Sequence, residues 1–158
     1  MSSIPAVFRP VPYPTASTLK ANPVSQAFTL LRTAFTVAPI LFGIDKFANV
    51  LTDDWTRYLS SDFNSLLPGS AADGMHIVGV IEIVAGLVVL VAPRFGGLLV
   101  AAWLGGIIVN LLLVGGYGDI ALRDFGLLIG ALALSRLATA YQGARASRAE
   151  AFPAQSHA

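Results

Sequence analysis

Cysteine is absent from this chain. Its absence removes disulfides, thiol redox chemistry, iron–sulfur ligation and cysteine-type zinc sites. It also excludes a four-helix quinone–thiol oxidoreductase, which needs a cysteine pair. Histidine is nearly as scarce, with two residues. Only His76 lies near an apolar segment, so the chain cannot hold a haem between two histidines of its own. Charge is sparse as well. Asp, Glu, Lys and Arg make up 12% of 158 residues, where a soluble domain carries about a quarter. With 55% hydrophobic residues and a mean hydropathy of +0.71, the composition is that of a membrane protein. No metal site is expected, and the scattered cations give no support for binding nucleic acid.

Four apolar segments stand out: Phe28 to Phe47, Met75 to Ala92, Phe95 to Val114, and Asp119 to Tyr141. A span needs about 20 mostly apolar residues. The first three meet that need. The fourth is interrupted by Arg123, Asp124 and Arg136, but an even number of spans places both basic tails on one side. The expected fold is all-α, an integral membrane four-helix bundle over residues 27–141. A Pro-rich arm (1–26) with no secretory signal precedes it, and a basic, Ala-rich tail (142–158) follows it.

Cations near span ends favour the cytoplasm. Arg9, Lys20, Arg32, Arg94, Arg136, Arg145 and Arg148 fall on the side of the termini and the second turn, against Lys46, Arg57 and Arg123 on the other. Every Asp and Glu except Glu150 lies on the far half. Both termini are therefore expected in the cytoplasm of a bacterial-type inner (plasma) membrane, with the multi-pass chain placing the Ala48–Asp73 loop outside. Within that loop, Leu51, Trp55, Tyr58, Leu59 and Asp62 recur at helical spacing. They predict a short interfacial helix capped by Thr52 or Asp53, with Trp55 and Tyr58 at headgroup depth.

The polar residues then fall at one depth. Lys46, His76, Glu82, Asn110, Asp119, Arg123 and Asp124 all belong to the outer half of the bundle. At the α-helical rise, Glu82 is roughly 10 Å inside the outer boundary, and Asn110 and Arg123 are roughly 6 Å inside. Arg32, Thr36, Pro39, Gly43 and Lys46 share one stripe of the first span. Glu82 shares its face with Gly79, Ala85 and Gly86. Asn110 continues Ala102 and Gly106. Arg123 lines up with Gly126 and Gly130, with Asp119 as its i−4 partner. Small residues mark close helix contact in membranes. Each polar group is therefore expected to face a neighbouring helix, with Lys46 or Arg123 neutralising Glu82, since an unpaired charge at that depth costs several kcal/mol. Asn110 is expected as interhelical hydrogen-bonding glue and His76 as a rim residue. Arg32 is expected as an inner-leaflet anchor snorkelling to the headgroups.

Arg32 at the first span, the Gly43-x-x-Lys46 step, Gly79-x-x-Glu82 followed by Gly86, "APRFGGLLVAAWL" and "RDFGLLIGALAL" together resemble the DoxX family of small four-helix membrane proteins. The likeness covers Phe28 to Leu137. It implies a four-helix inner-membrane protein, and the family name comes from a membrane subunit linked to thiosulfate oxidation with quinone reduction. The resemblance transfers fold more firmly than chemistry. The favoured reading is an accessory or quinone-associated subunit of a larger respiratory or redox complex, not an enzyme on its own. No cofactor is expected to be covalently bound, although a quinone or lipid could sit between the helices. Membrane lipids and other complex subunits, or further copies of this chain, are the expected partners. The alternative is a small transporter or proton-pathway protein using the buried Glu82 cluster. Transporters commonly show inverted repeats or broken helices, whereas here Pro39 is the only mid-span breaker.

Overall fold

The computed structural model describes residues 13–17 and 22–151; the remainder of the expected arm and tail lies outside them. Five α-helices and one 3-10 turn make up the ordered elements of the described chain, and no strand is among them.

Helix α1 (Pro23–Ala48) starts about one turn ahead of the apolar run. Asn22 accepts from the Val24 N–H at 2.9 Å, and Pro23 occupies the first turn, where its missing N–H has no partner to lose. The helix continues through Pro39 and stops at Asn49, which adopts φ 51° and returns its N–H to the Asp45 carbonyl. Asparagine is one of the few side chains that enter this left-handed region readily. Helix α2 (Ser61–Leu66) is short. Helix α3 (Ala71–Val91) begins on a capping box, in which the Ser70 side chain and the Asp73 carboxylate each accept from the other's backbone N–H. Ala92 ends α3 and starts α4 (Pro93–Val114) without an intervening loop, so these two helices turn back on each other. Helix α5 (Gly118–Ala151) follows the Gly115–Gly116 turn, both glycines at positive φ. At 34 residues it is about 50 Å long and outruns a hydrocarbon core of about 30 Å.

The four long helices form a bundle in which α1 lies closest to α3, and α4 to α5. Glycine sets the first of these contacts. A Cβ added to Gly43 would stand 2.5 Å from the Gly79 carbonyl oxygen, and one added to Gly79 would stand 2.7 Å from the Gly43 carbonyl oxygen. One level nearer the termini, Gly86 packs on the Thr36 carbonyl and Ile40. Small residues thus let two backbones touch, which is how helices associate where lipid tails compete equally for apolar side chains. Gly97 plays the same part against Ala131 and Ser135 between α4 and α5. The apolar core consists of Phe28, Phe35, Ala85, Val89, Val100, Ala101, Leu104, Ala131, Leu134 and Ala138.

The surface is the reverse of a soluble protein's. Leu30 is 71% exposed and Leu122 72%, and Leu41, Ile44, Val84, Leu112 and Ile129 also face outward. Arg32, Asp45, Lys46, Glu82, Asn110 and Asp124 are buried. Helices α1, α3 and α4 are each long and apolar enough to cross a membrane. Apolar faces outward, polar groups inward and a backbone satisfied within its own helices are what hydrocarbon requires of a spanning chain. The protein is an all-α membrane protein, and α5 completes the four-helix bundle.

The connection between α1 and α3 carries the expected short helix, but in two pieces. A 3-10 turn (Thr56–Tyr58) precedes α2, and the residue that caps α2 is Ser60, which accepts from the Phe63 N–H; neither Thr52 nor Asp53 is a cap. Leu59 and Ser60 are extended, and this breaks the helical run that the spacing of Leu51, Trp55 and Tyr58 predicts. The break turns Trp55 and Tyr58 onto the end of the bundle, hereafter the loop end.

A buried ion pair and its cap at the loop end

Lys46, in the last turn of α1, donates to Glu82 on α3 at 2.7 Å. Both side chains are at least nine-tenths buried, at 5% and 10% exposure. The pair sits directly beside the Gly43–Gly79 crossing, whose close approach brings the two side chains within reach of each other. Of the two expected cations, Lys46 is therefore the partner of Glu82. Arg123 is not: its side chain is 65% exposed, and its contact is a 3.4 Å ion pair with its neighbour Asp124.

That difference resets the face of α5. The inward stripe is Ala121, Asp124, Ala131, Leu134, Ser135 and Ala138, while Gly126 meets nothing within 4 Å. Asp119 is exposed and makes no ion pair among the described residues. Asp124 replaces Arg123 as the inward group of this helix. From α4, the Trp103 indole approaches Glu82 without the geometry of a full hydrogen bond. Every long helix thus contributes a polar or aromatic side chain around this carboxylate.

The loop closes over the pair through three anchors. Asp45 accepts from the Val50 and Leu51 N–H groups, each at 2.9 Å, and from the Trp55 indole at 3.0 Å. The Trp55 ring in turn lies over the Lys46 ammonium, 4.1 Å from nitrogen to centroid, a cation–π contact that adds to the ion pair. The third anchor is Asn110, which is buried at the end of α4 and clamps the loop rather than joining two helices. Its Oδ1 accepts from the Ser60 N–H at 2.9 Å, and its Nδ2 donates to the Tyr58 carbonyl. Removing this amide leaves two backbone groups without partners, so Asn110→Leu is expected to cost about 2 kcal/mol. It should also open residues 55–60 to limited proteolysis while the four long helices stay assembled.

His76 is exposed and stacks flat on Phe47, centroids 4.8 Å apart at 6°. With Lys46, Asn49, Asp53, Asp54, Trp55, Thr56 and Met75 it lines a cavity of about 140 Å³ that opens at the loop end. At its rim, the Asp54 carboxylate accepts from the Thr56 hydroxyl at 2.6 Å and the Thr56 N–H at 2.8 Å. The hydroxyl bond first, then the backbone bond, hold its pKa below the ordinary aspartate value. A carboxylate whose folded pKa is depressed stabilises the folded state above its unfolded pKa, and the effect fades as pH falls through the folded value. Thr56→Val is expected to return Asp54 toward the ordinary range, readable as an upward shift in the acid midpoint of Trp55 fluorescence.

At the opposite end, Arg32 does not snorkel. It is 3% exposed and donates to the Leu90 carbonyl near the end of α3, where a cation meets the negative pole of that helix. The Tyr13 ring covers its guanidinium at 4.0 Å. Trp103 and Tyr13 are thus contributors that the sequence does not single out, and Asp45 joins them from outside the expected cluster. Asp45 had a signal in its position beside Lys46 at the head of a polar loop, whereas nothing in the local pattern separates Trp103 from an ordinary apolar span residue.

Comparison with protein-family models, with curated proteins and with solved structures gives no match to this chain. Among the described residues, no group of three or more His, Asp or Glu side chains is placed to hold a metal ion.

Proposed function

We propose that the chain is a DoxX-like accessory subunit of a larger inner-membrane redox assembly, associated with its quinone pool, with both termini cytoplasmic and the loop end outside. The observation that carries this reading is the bonding of the buried cluster. Lys46 is bonded to Glu82, Asp45 to Trp55 and Asn110 to the loop backbone. These bonds tie α1 to α3 and fasten the loop to α1 and α4. A chain whose polar side chains serve to fix its own shape, and whose outward faces are broad and apolar, suits a scaffold that other spanning helices and lipids pack against. A quinone or lipid would meet it on those faces.

The test is purification of the native membrane assembly in mild detergent. The chain is expected to migrate with other membrane subunits, and a quinone-linked activity of that particle should fall when the chain is deleted and return with its gene. A particle of the same size and activity without the chain would contradict the subunit reading. Orientation is checked separately by single cysteines at Ser3, Ser61 and Ser156. Impermeant reagent added outside should label only Ser61, and labelling at Ser156 would overturn the four-span arrangement.

A further inference from the structure

The cavity beside the ion pair carries a consequence of its own. A pair that served only as a lock would be best sealed from water, because water weakens it. Here the loop-end cavity of about 140 Å³ reaches Lys46 and is lined by polar side chains, with room for several waters. Glu82 is not part of that lining. Lys46 therefore lines the cavity on one side and bonds a buried carboxylate 2.7 Å away on the other.

We infer that Lys46 passes protons between this cavity and Glu82, so that the buried pair is a proton-exchange site open to the loop end. In the resting state the pair is an ammonium and a carboxylate. Lys46 gives one proton to Glu82: an N–H bond breaks and an O–H bond forms at Oε2. The neutral amine then takes a proton from a hydronium ion in the cavity, releasing water. The net change is one proton moved from the cavity to Glu82, with Lys46 charged again and no electrons transferred.

The charges around the pair favour such loading. On its own helix Lys46 has Asp45 beside it, and the loop brings Asp53 and Asp54 to the cavity. From α3, His76 lines the same space. From α4 the uncharged Trp103 indole approaches, and from α5 come the buried Asp124 and its exposed neighbour Arg123. Among the described residues, three buried carboxylates, Asp45, Glu82 and Asp124, thus stand against one buried ammonium at this end. Adding a proton to Glu82 lowers the excess of negative charge at this end.

The experiment uses the full-length chain, purified and reconstituted in lipid vesicles, so that it reads the site whether or not the chain belongs to a larger assembly. Infrared spectroscopy follows the protonated-carboxyl band, assigned to Glu82 by its loss in Glu82→Gln. In the wild type the band should grow as pH falls and should shift promptly on transfer to heavy water. Lys46→Arg keeps the charge and the ion pair, but a guanidinium holds its protons at all accessible pH. Exchange at Glu82 should therefore slow on the order of 100-fold, the usual worth of a positioned proton-transfer group, while thermal stability stays near wild type. Should Lys46→Arg not assemble, Lys46→Met serves instead, leaving a neutral Glu82 whose exchange should be equally slow. The inference is overturned if no Glu82 band appears over the range in which carboxylates and histidine titrate. It is also overturned if the assembled lysine variant exchanges at the wild-type rate.

Discussion

Replacing Glu82 with alanine is expected to cost about 3–5 kcal/mol, the loss seen when one partner of a buried pair is removed. The reason is the ammonium left behind. Lys46 is 6% exposed and lies over the Trp55 ring, so without Glu82 its charge has lost the partner 2.7 Å away. The neighbouring carboxylates give only partial relief, since Asp45 is already bonded to two backbone N–H groups and an indole. The variant should melt far below the wild type in detergent. Its loop should become protease-sensitive at the same time, because Trp55 rests on the charge that has been orphaned. The same change at Asp119, which is exposed and outside the cluster, should leave the melting temperature near wild type.

The second large effect is expected at Gly43. A methyl group there would lie 2.5 Å from the Gly79 carbonyl oxygen and 2.8 Å from Ile83 Cγ1. The first of these atoms is backbone and cannot swing aside, so α1 and α3 must separate. Overpacking a tight site costs about 1–3 kcal/mol, and Gly43→Ala belongs at the upper end because the Lys46–Glu82 contact is stretched by the same movement. Gly106→Ala provides the contrast. That glycine is also inside a helix but meets nothing within 4 Å, so alanine should leave stability unchanged or raise it by up to about 1 kcal/mol through helix propensity. A difference between the two substitutions in resistance to thermal unfolding checks the α1–α3 crossing directly.

The two helices in that crossing were the most legible part of the sequence. On α1 and α3 the small residues and the charged ones fall on the same stripe, so two independent signals agree on which face is buried. The signal fails on α5. Arg123 and Asp124 are adjacent and about 100° apart on the helix, and glycine spacing drew Arg123 inward. At a helix end, a long basic side chain can reach water from an outward position, so a cation there says little about facing, whereas the short Asp124 carboxylate has no such reach. On α4, Asn110 is buried, but Ala102 and Gly106 on the same stripe mark no helix contact, since Ala102 is exposed and Gly106 has open space. The loop was legible in outline only. Its helical spacing is real, but Asp45 collects three donors from residues 50, 51 and 55. A tertiary bond of that kind overrides local periodicity and leaves no trace in it. The burial of Arg32 has a related cause: the acceptor that draws it inward is a backbone carbonyl, Leu90, and no side-chain pattern reports it.

The central claim is that the Lys46–Glu82 pair holds the bundle and its cap together, and a double-mutant cycle tests it most directly. Lys46→Met, Glu82→Gln and the double variant would each be unfolded reversibly in the same detergent. Each single substitution strands a buried polar or charged group, whereas the double one removes both charges together. The predicted result is a double variant much less destabilised than the sum of the singles, with a coupling energy of at least about 2 kcal/mol, toward the top of the range for residues in contact. Additivity within about 0.5 kcal/mol, the behaviour of independent sites, would contradict it.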